Sequence, residues 1–267
     1  MKNFKEIKES VATRMKRCWG ECCALFFMSA GGIAAGVFAW YVAMNYFMTT
    51  DIINSMNDPI ALLTAVGVFV IMWVISVPYR YGVRWYRLQQ VRGHSVHAKS
   101  VFSCYFSTKR MFQVYRLSLK LFLNKSILMV PFLCFLGAAI YLITKFDGIS
   151  SIGYNLLVVV LLMLSVVAYI AYNILNIKYT AAPYIFVLGF DRPAKDIISD
   201  SIRFTQAHRV YMIEVLRSCA IMLLPCALIF PMIFVIPKMM MIYTAAINEM
   251  IEKGFAEDKL VVTERRG

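Results

Sequence analysis

The stretch at residues 154–177, YNLLVVVLLMLSVVAYIAYNILNI, decides the class of fold. It contains no Asp, Glu, Lys or Arg. At about 1.5 Å of rise per residue, a helix over this stretch is about 36 Å long, which exceeds the ~30 Å hydrocarbon core of a bilayer. An apolar run of this length and composition predicts a transmembrane helix.

Runs of similar length recur along the 267-residue chain, which is 60% hydrophobic and only 16% charged. Soluble domains carry about 25% charged residues, so this composition excludes an ordinary soluble protein. We predict an all-α helical bundle in the membrane, formed as one polytopic domain over residues 1–267. The predicted spans lie at about 22–48, 59–78, 120–145, 153–178, 211–229 and 231–252.

The last apolar tract, at 218–248, allows two arrangements. It is interrupted by Pro225, Pro231 and Pro237, and Lys238 follows the last of these. Proline tends to end or kink a helix, so two short spans can form here in place of one long span. We predict six spans, with five as the alternative.

The basic residues indicate the orientation of the chain. Of the 28 Lys and Arg residues, 26 lie in the segments 1–18, 79–125, 178–217 and 253–267. The loops 49–58 and 146–153 carry only acidic charges. Cytoplasmic loops of membrane proteins are enriched in Lys and Arg. We therefore expect both termini in the cytoplasm and the two acidic loops outside.

Segment 79–99, YRYGVRWYRLQQVRGHSVHAK, follows the second predicted span and combines basic with aromatic side chains. Such a combination occurs in nucleic-acid sites, but the membrane boundary already accounts for it here. We expect anionic lipids of the bilayer as partners, and no nucleic acid. The candidate contacts to lipid headgroups and the interface are Arg80, Arg84, Arg87, Arg92 and Trp85.

Two short amphipathic helices are predicted outside the spans. Residues 1–19 place apolar side chains at spacings of three and four, which is typical of a helix lying in the membrane interface. Segment 191–205, DRPAKDIISDSIRFT, has a second apolar stripe, with Pro193 near its start. The first apolar face consists of Phe4, Ile7, Val11, Met15 and Trp19.

The first span contains the segment SAGGIAAG at 29–36, in which Gly32 and Gly36 are four residues apart. Small residues at this spacing let two helix backbones approach closely. The partner helix belongs either to the same chain or to a second copy in a homo-oligomer.

A metal site was considered at Cys18, Cys22, His94 and His97, because thiolate and imidazole groups bind soft metals. The chain has no CxxC pair, and the two groups are far apart in sequence. We predict no metal and no other cofactor. Motifs of soluble hydrolases, P-loop enzymes and zinc peptidases are also absent, so we predict no enzymatic activity.

Polar residues at membrane depth are the remaining functional candidates, because they are costly there. No acidic residue lies within the first four predicted spans. Asn173, Asn176 and Lys238 are the residues that could line a polar cavity. Such a cavity at the bilayer midplane would favour a transporter.

The segment 179–216, YTAAPYIFVLGFDRPAKDIISDSIRFTQAHRVYMIEVL, resembles a signature of bacterial multi-spanning membrane proteins known as domain of unknown function 975. Segment 81–106 resembles the part of that family that follows its second span. The chain departs from the family at Gln206 and Ala207, where Lys-Gly is more usual, and at Lys238, where Tyr would follow the proline. The matching positions in the first segment are Pro183, Asp191, Pro193, Ser201 and 206–208.

This resemblance implies a protein of the bacterial cytoplasmic membrane without an assigned activity. We expect a non-enzymatic scaffold or accessory protein that organises lipids or a membrane protein partner through its basic cytoplasmic face. The alternative is a small-solute permease or exporter.

Overall fold

The computed structural model describes residues 4–49, 59–145, 152–189, 192–223 and 229–264. Every regular element in these ranges is helical, which confirms the predicted all-α class. The two acidic loops lie almost wholly outside the described residues. The α-helices are α1 (Phe4–Thr49), α2 (Pro59–Arg92), α3 (Thr108–Lys145), α4 (Ile152–Asn176), α5 (Ala182–Leu188), α6 (Ala194–Ala207), α7 (Arg209–Leu223) and α8 (Ile229–Glu264). Two 3-10 helices occupy Ala98–Phe106 and Ile177–Tyr179.

Five helical segments among the described residues are long and apolar enough to cross a membrane, which confirms the multi-pass class. Most of them extend beyond the predicted bounds at the ends rich in Lys and Arg. They are Phe4–Ala43, Val66–Arg92, Thr108–Thr144, Gly153–Leu188 and Met232–Ala256.

The last apolar tract is a hairpin of α7 and α8. Val215 of α7 packs in one cluster with Met241 and Ile242 of α8, so the two helices run back along each other. The described part of α7 has 15 residues, a length of about 22 Å that is less than the ~30 Å needed for a full crossing. The six-span arrangement, with spans at 211–229 and 231–252, therefore stays a prediction.

The predicted interfacial helix at 1–19 is continuous with the first span in α1, with a kink at Cys18 (φ −116°, ψ 15°). Its predicted apolar face is the face that is buried, with Ile7, Val11 and Met15 at most 3% exposed. This face packs against α2 and α8. Protein side chains therefore cover Ile7, Val11 and Met15, and the position of this helix in the membrane interface stays a prediction.

The buried core lies at one end of the molecule, which we call the basic end. It joins the start of α1, the end of α2, the start of α3, the residues after α4 and the end of α8. Helix α6 contributes its predicted apolar stripe to this core through Ile197, Ile198 and Ser201. The segments 1–18, 79–125 and 178–217, which hold most of the basic residues, therefore converge at this end.

Away from the basic end the helices are poorly covered by protein. Between residues 26 and 76, Gly36 is the one described residue that is buried. In the α3–α4 hairpin, Ala139 and Ser165 are the buried residues among those described from 122 to 176. Exposed apolar side chains such as Ile33 and Ile127, 67% and 70% exposed, fit lipid contact.

Candidate functional site

Helix α2 carries the basic segment into the core because it does not end at Pro78, where the second span was expected to stop. Proline has no N–H to donate to the carbonyl four residues earlier, so Val74 O loses its helical partner. The hydroxyl of Tyr115 on α3 donates to that oxygen at 2.7 Å. Tyr105 donates to the next carbonyl, that of Ile75. These two tyrosines compensate for the proline within the helix.

The four predicted arginines do not form one surface. Arg80, Arg84 and Arg87 are spaced by four and three residues, so they lie along one face of α2. Arg92 is twelve residues after Arg80, which places it about 120° around the helix. Arg80 is exposed, whereas the other three are partly buried.

Arg84 lies near Arg87 of its own helix and near Lys125 of α3, and we call these three residues the basic cluster. Lys125 and Arg87 both lie within electrostatic range of Arg84. The guanidinium of Arg84 also lies over the ring of Tyr81, 5.4 Å from its centroid. Among the described residues, no carboxylate forms an ion pair with any member of the cluster. The cluster is therefore a concentration of uncompensated positive charge.

Hydroxyl groups surround the basic cluster on the side of α5 and α8. Tyr184 of α5 lies within electrostatic range of Arg87, and Tyr243 of α8 within range of Arg84. The hydroxyl of Tyr184 is 3.3 Å from that of Thr244, which donates in turn to Met240 O at 2.8 Å. Among the described residues, these surroundings supply neutral hydroxyl groups, and no carboxylate pairs with the cluster. An oxyanion is the ligand class that such a set can bind.

Arg92 has a structural role in the described part of the chain. Its Nε donates to Asn248 Oδ1 at 2.9 Å, and its guanidinium lies 3.8 Å from a carboxylate oxygen of Glu252. Asn248 Nδ2 donates to the same carboxylate at 2.9 Å. This network ties the end of α2 to α8, so its charge is already matched within the protein.

Trp85 lies inside the protein. It is partly buried and packs against both clusters that form the core at the basic end. The sequence predicted a position at the lipid interface, where Trp is common. The ring instead joins two parts of the core.

The two predicted packing glycines differ in their surroundings. A Cβ at Gly36 would lie 2.4 Å from the terminal methyl of Met72, so α1 and α2 approach closely there. A Cβ at Gly32 would meet nothing within 4 Å. Within this chain, Gly36 is therefore a contact point between spans and Gly32 is not.

No described contact joins the three candidate residues for a polar cavity. Asn173 is exposed, and its Nδ2 donates to Tyr169 O of its own helix at 2.8 Å. The side-chain oxygen of Asn176 is buried without a described partner. Lys238 borders a recess with Met15 and Trp19 of α1.

Three of the four candidate metal ligands lie near one another in the structure, although they are far apart in sequence. Cys18, His94 and His97 border one recess between α1 and the loop after α2. Glu21 lies in the same recess, with a carboxylate oxygen 3.8 Å from His97 Nδ1. Among the described residues, however, no three His, Cys, Asp or Glu side chains are placed to hold a metal ion.

Sequence reasoning missed Lys125 and Gly82 as parts of this region. Lys125 was interpreted only as one of many basic residues, because sequence does not reveal which helix faces α2. Gly82 lies between Arg80 and Arg84, and a Cβ there would be 1.9 Å from Val101 O. A glycine within a basic helical segment was the available signal for this close backbone contact.

Comparison with known proteins produced no match: no family model, curated protein or solved structure is significantly similar to this chain. The resemblance to domain of unknown function 975 therefore stays a prediction.

Proposed function

We propose that this chain is a non-enzymatic scaffold or accessory protein of the bacterial cytoplasmic membrane that holds anionic lipids at its basic end. The basic cluster carries this proposal, because its three cations have no carboxylate partner among the described residues. Like charges repel one another more strongly as water is excluded. A lipid phosphate bound between them relieves that repulsion.

The arrangement of charge and apolar surface supports the same role. An N-terminus in the cytoplasm places the basic end against the anionic inner leaflet, where each Lys or Arg contributes about 1 kcal/mol of attraction. The exposed apolar sides of α3 and α4 then face lipid, a second copy of the chain or a membrane protein partner.

The alternative of a small-solute permease or exporter has less support. A transporter brings its polar groups together near the midplane of the bilayer. Here Asn173 bonds within its own helix, whereas Lys238 borders a recess beside α1. No described contact joins these two residues in a common site.

Lipid retention tests the proposal. The protein is reconstituted in bilayers of mixed phosphatidylglycerol and phosphatidylcholine, re-extracted in mild detergent, and its retained lipids are quantified. We expect enrichment of phosphatidylglycerol that falls with added salt. The variant with Arg84→Gln, Arg87→Gln and Lys125→Gln should show clearly lower enrichment, because about 3 kcal/mol of attraction is removed.

A matched variant with Arg116→Gln, Lys120→Gln and Lys195→Gln removes the same charge from exposed positions. It should keep the enrichment. An equal loss in both variants, or undiminished enrichment in the variant of the basic cluster, would refute the assignment of lipid binding to this cluster.

A further inference from the structure

An apolar groove runs along the membrane-facing side of α1 and α2. Its volume is ≈ 570 Å³, within the range of small-molecule sites. Trp40 and Val68 lie towards one end, and Ser29 and Arg80 lie at the other. The groove is open to the side, since Val37 in its wall is 61% exposed. A ligand can therefore enter it from within the bilayer.

The length of the groove matches one leaflet. From Ser29 to Trp40 on α1 the helix rises by eleven steps, or about 17 Å, and from Val68 to Arg80 on α2 by twelve steps, or about 18 Å. One leaflet contributes half of the ~30 Å hydrocarbon core, or about 15 Å. The apolar part therefore has the length of one extended acyl chain.

At the basic end of the molecule, the groove ends at Arg80, whose guanidinium still has N–H donors available to a ligand. Arg80 Nη2 donates to Ser76 Oγ at 2.9 Å, and no described carboxylate pairs with the guanidinium. A guanidinium has five N–H donors in a planar fork that suits phosphate. The neighbouring hydroxyls of Ser29 and Tyr79 are engaged with Leu25 O at 2.8 and 2.9 Å. Arg80 is thus the group in this wall that is available to an anion.

We propose that the α1–α2 groove binds one anionic phospholipid of the leaflet at the basic end, with its phosphate on Arg80 and an acyl chain along the groove. This inference rests on the proposed lipid-holding role, but it concerns a site whose cation, Arg80, lies one helical turn from the basic cluster and within electrostatic range of Arg84. The combination of an acyl-length apolar wall with a single unpaired cation at one end is what selects an anionic phospholipid over an uncharged lipid.

Tryptophan fluorescence provides a direct test, because Trp40 and Trp73 are two of the four tryptophans and both line the groove. The intact protein is reconstituted in phosphatidylcholine that contains a minor fraction of lipid brominated on its acyl chains. We expect brominated phosphatidylglycerol to quench several-fold more than the same fraction of brominated phosphatidylcholine. In the Trp40→Phe, Trp73→Phe variant this excess quenching should disappear.

Variants locate the headgroup and the chain. Arg80→Gln should abolish the excess quenching and Arg80→Lys should retain part of it, whereas Arg116→Gln, an equal loss of charge outside the groove, should leave it unchanged. Val37→Phe narrows the groove and should reduce the excess, whereas Val42→Phe on another side of α1 should not. Each variant is first checked for an unchanged melting temperature.

Equal quenching by the two brominated lipids would overturn this inference, as would excess quenching that survives Arg80→Gln. The result is separable from the proposed function. If excess quenching is observed but lipid enrichment does not depend on the basic cluster, the groove site is supported and the proposed function is not. Enrichment dependent on the basic cluster without excess quenching removes the groove site and leaves the proposed function.

Discussion

Gly82 is a residue at which α2 closely approaches another backbone. An added Cβ would lie 1.9 Å from the carbonyl oxygen of Val101, in the 3-10 helix Ala98–Phe106. Both positions are buried at the basic end. Because the obstructing atom belongs to the backbone, a side-chain rotation cannot relieve the contact. Gly82 therefore sets the distance between α2 and the segment that follows it.

We expect Gly82→Ala to destabilise the protein by about 1–3 kcal/mol, the range typical of overpacking in a well-packed core. The measurement is thermal unfolding in mild detergent. Gly67→Ala in the same helix is the control, because nothing lies within 4 Å of its Cβ. Replacing a helical glycine by alanine stabilises by about 1 kcal/mol. Equal melting temperatures for the two variants would contradict the close contact.

The charged residues of α2 illustrate what sequence predicts at this scale. The spacing of Arg80, Arg84 and Arg87 predicts that they share one face of the helix, and they do. Their partners do not follow from spacing. Arg92 meets Glu252 from a segment 160 residues later, whereas Arg84 meets Lys125. Such contacts depend on how whole helices pack, which no local pattern encodes.

At the scale of the element, α2 shows how a proline can remain inside a helix. The pattern VPY predicts a helix end, since proline costs about 3 kcal/mol in a helix interior. The hydroxyl of Tyr115, on the neighbouring helix α3, donates a hydrogen bond to Val74 O and offsets part of this cost. Tyr115 also packs against Trp73, with ring centroids 5.7 Å apart. A rule based on local sequence cannot anticipate a donor supplied from α3.

A double-mutant cycle tests this compensation. Tyr115→Phe leaves Val74 O without a partner beside Pro78, and we expect a loss of about 1–3 kcal/mol. In the Pro78→Ala background the restored N–H serves that carbonyl, so the same change should cost clearly less. Tyr141→Phe, on the exposed part of α3, is the control and should be near neutral. Because Phe keeps the ring, a cost for Tyr115→Phe that is equal in both backgrounds would show that the hydroxyl does not compensate for the proline.

In α1, as in α2, the spacing of residues predicts which face is buried but not what covers that face. The spacing of its apolar residues predicted which face is buried, and Ile7, Val11 and Met15 are buried as expected. The composition is also that of a helix at a lipid interface, but protein covers these three side chains. Protein and lipid interfaces select the same apolar stripe, so amphipathicity alone does not distinguish them.

At the scale of the whole molecule, most of the buried core lies at the basic end, whereas the other parts of the long helices are poorly covered by protein. The apolar runs and the positions of Lys and Arg were sufficient to predict the helical membrane class and the segments that lie together. They were not sufficient to predict that the ends of the helices form most of the core. Hydropathy measures how apolar a helix is, but it does not say whether protein or lipid covers it.

The convergence of the helix ends leads to a prediction of topology. Ile7 near the N-terminus, Val91 at the end of α2 and Ala246 of α8 lie in one buried cluster. All three therefore lie at the basic end of the molecule. The hairpin of α7 and α8 returns the chain to that end, where Lys and Arg predict the cytoplasm. A chain that crosses at α7 and again at α8 has six spans and both termini inside.

Single cysteines in a variant without the native cysteines test this arrangement with a membrane-impermeant reagent on intact cells. We expect labelling at positions 51 and 147 and protection at 94, 196 and 257, because the first two follow the outer ends of spans. Permeabilised cells should label at all five positions, which controls for reactivity, and an unchanged melting temperature controls for folding. Labelling at 257 with protection at 94 and 196 would place the C-terminus outside and give five spans. Labelling at 94 with protection at 51 would reverse the orientation and place the basic cluster against the outer leaflet, so the proposed role in the inner leaflet would fail with it.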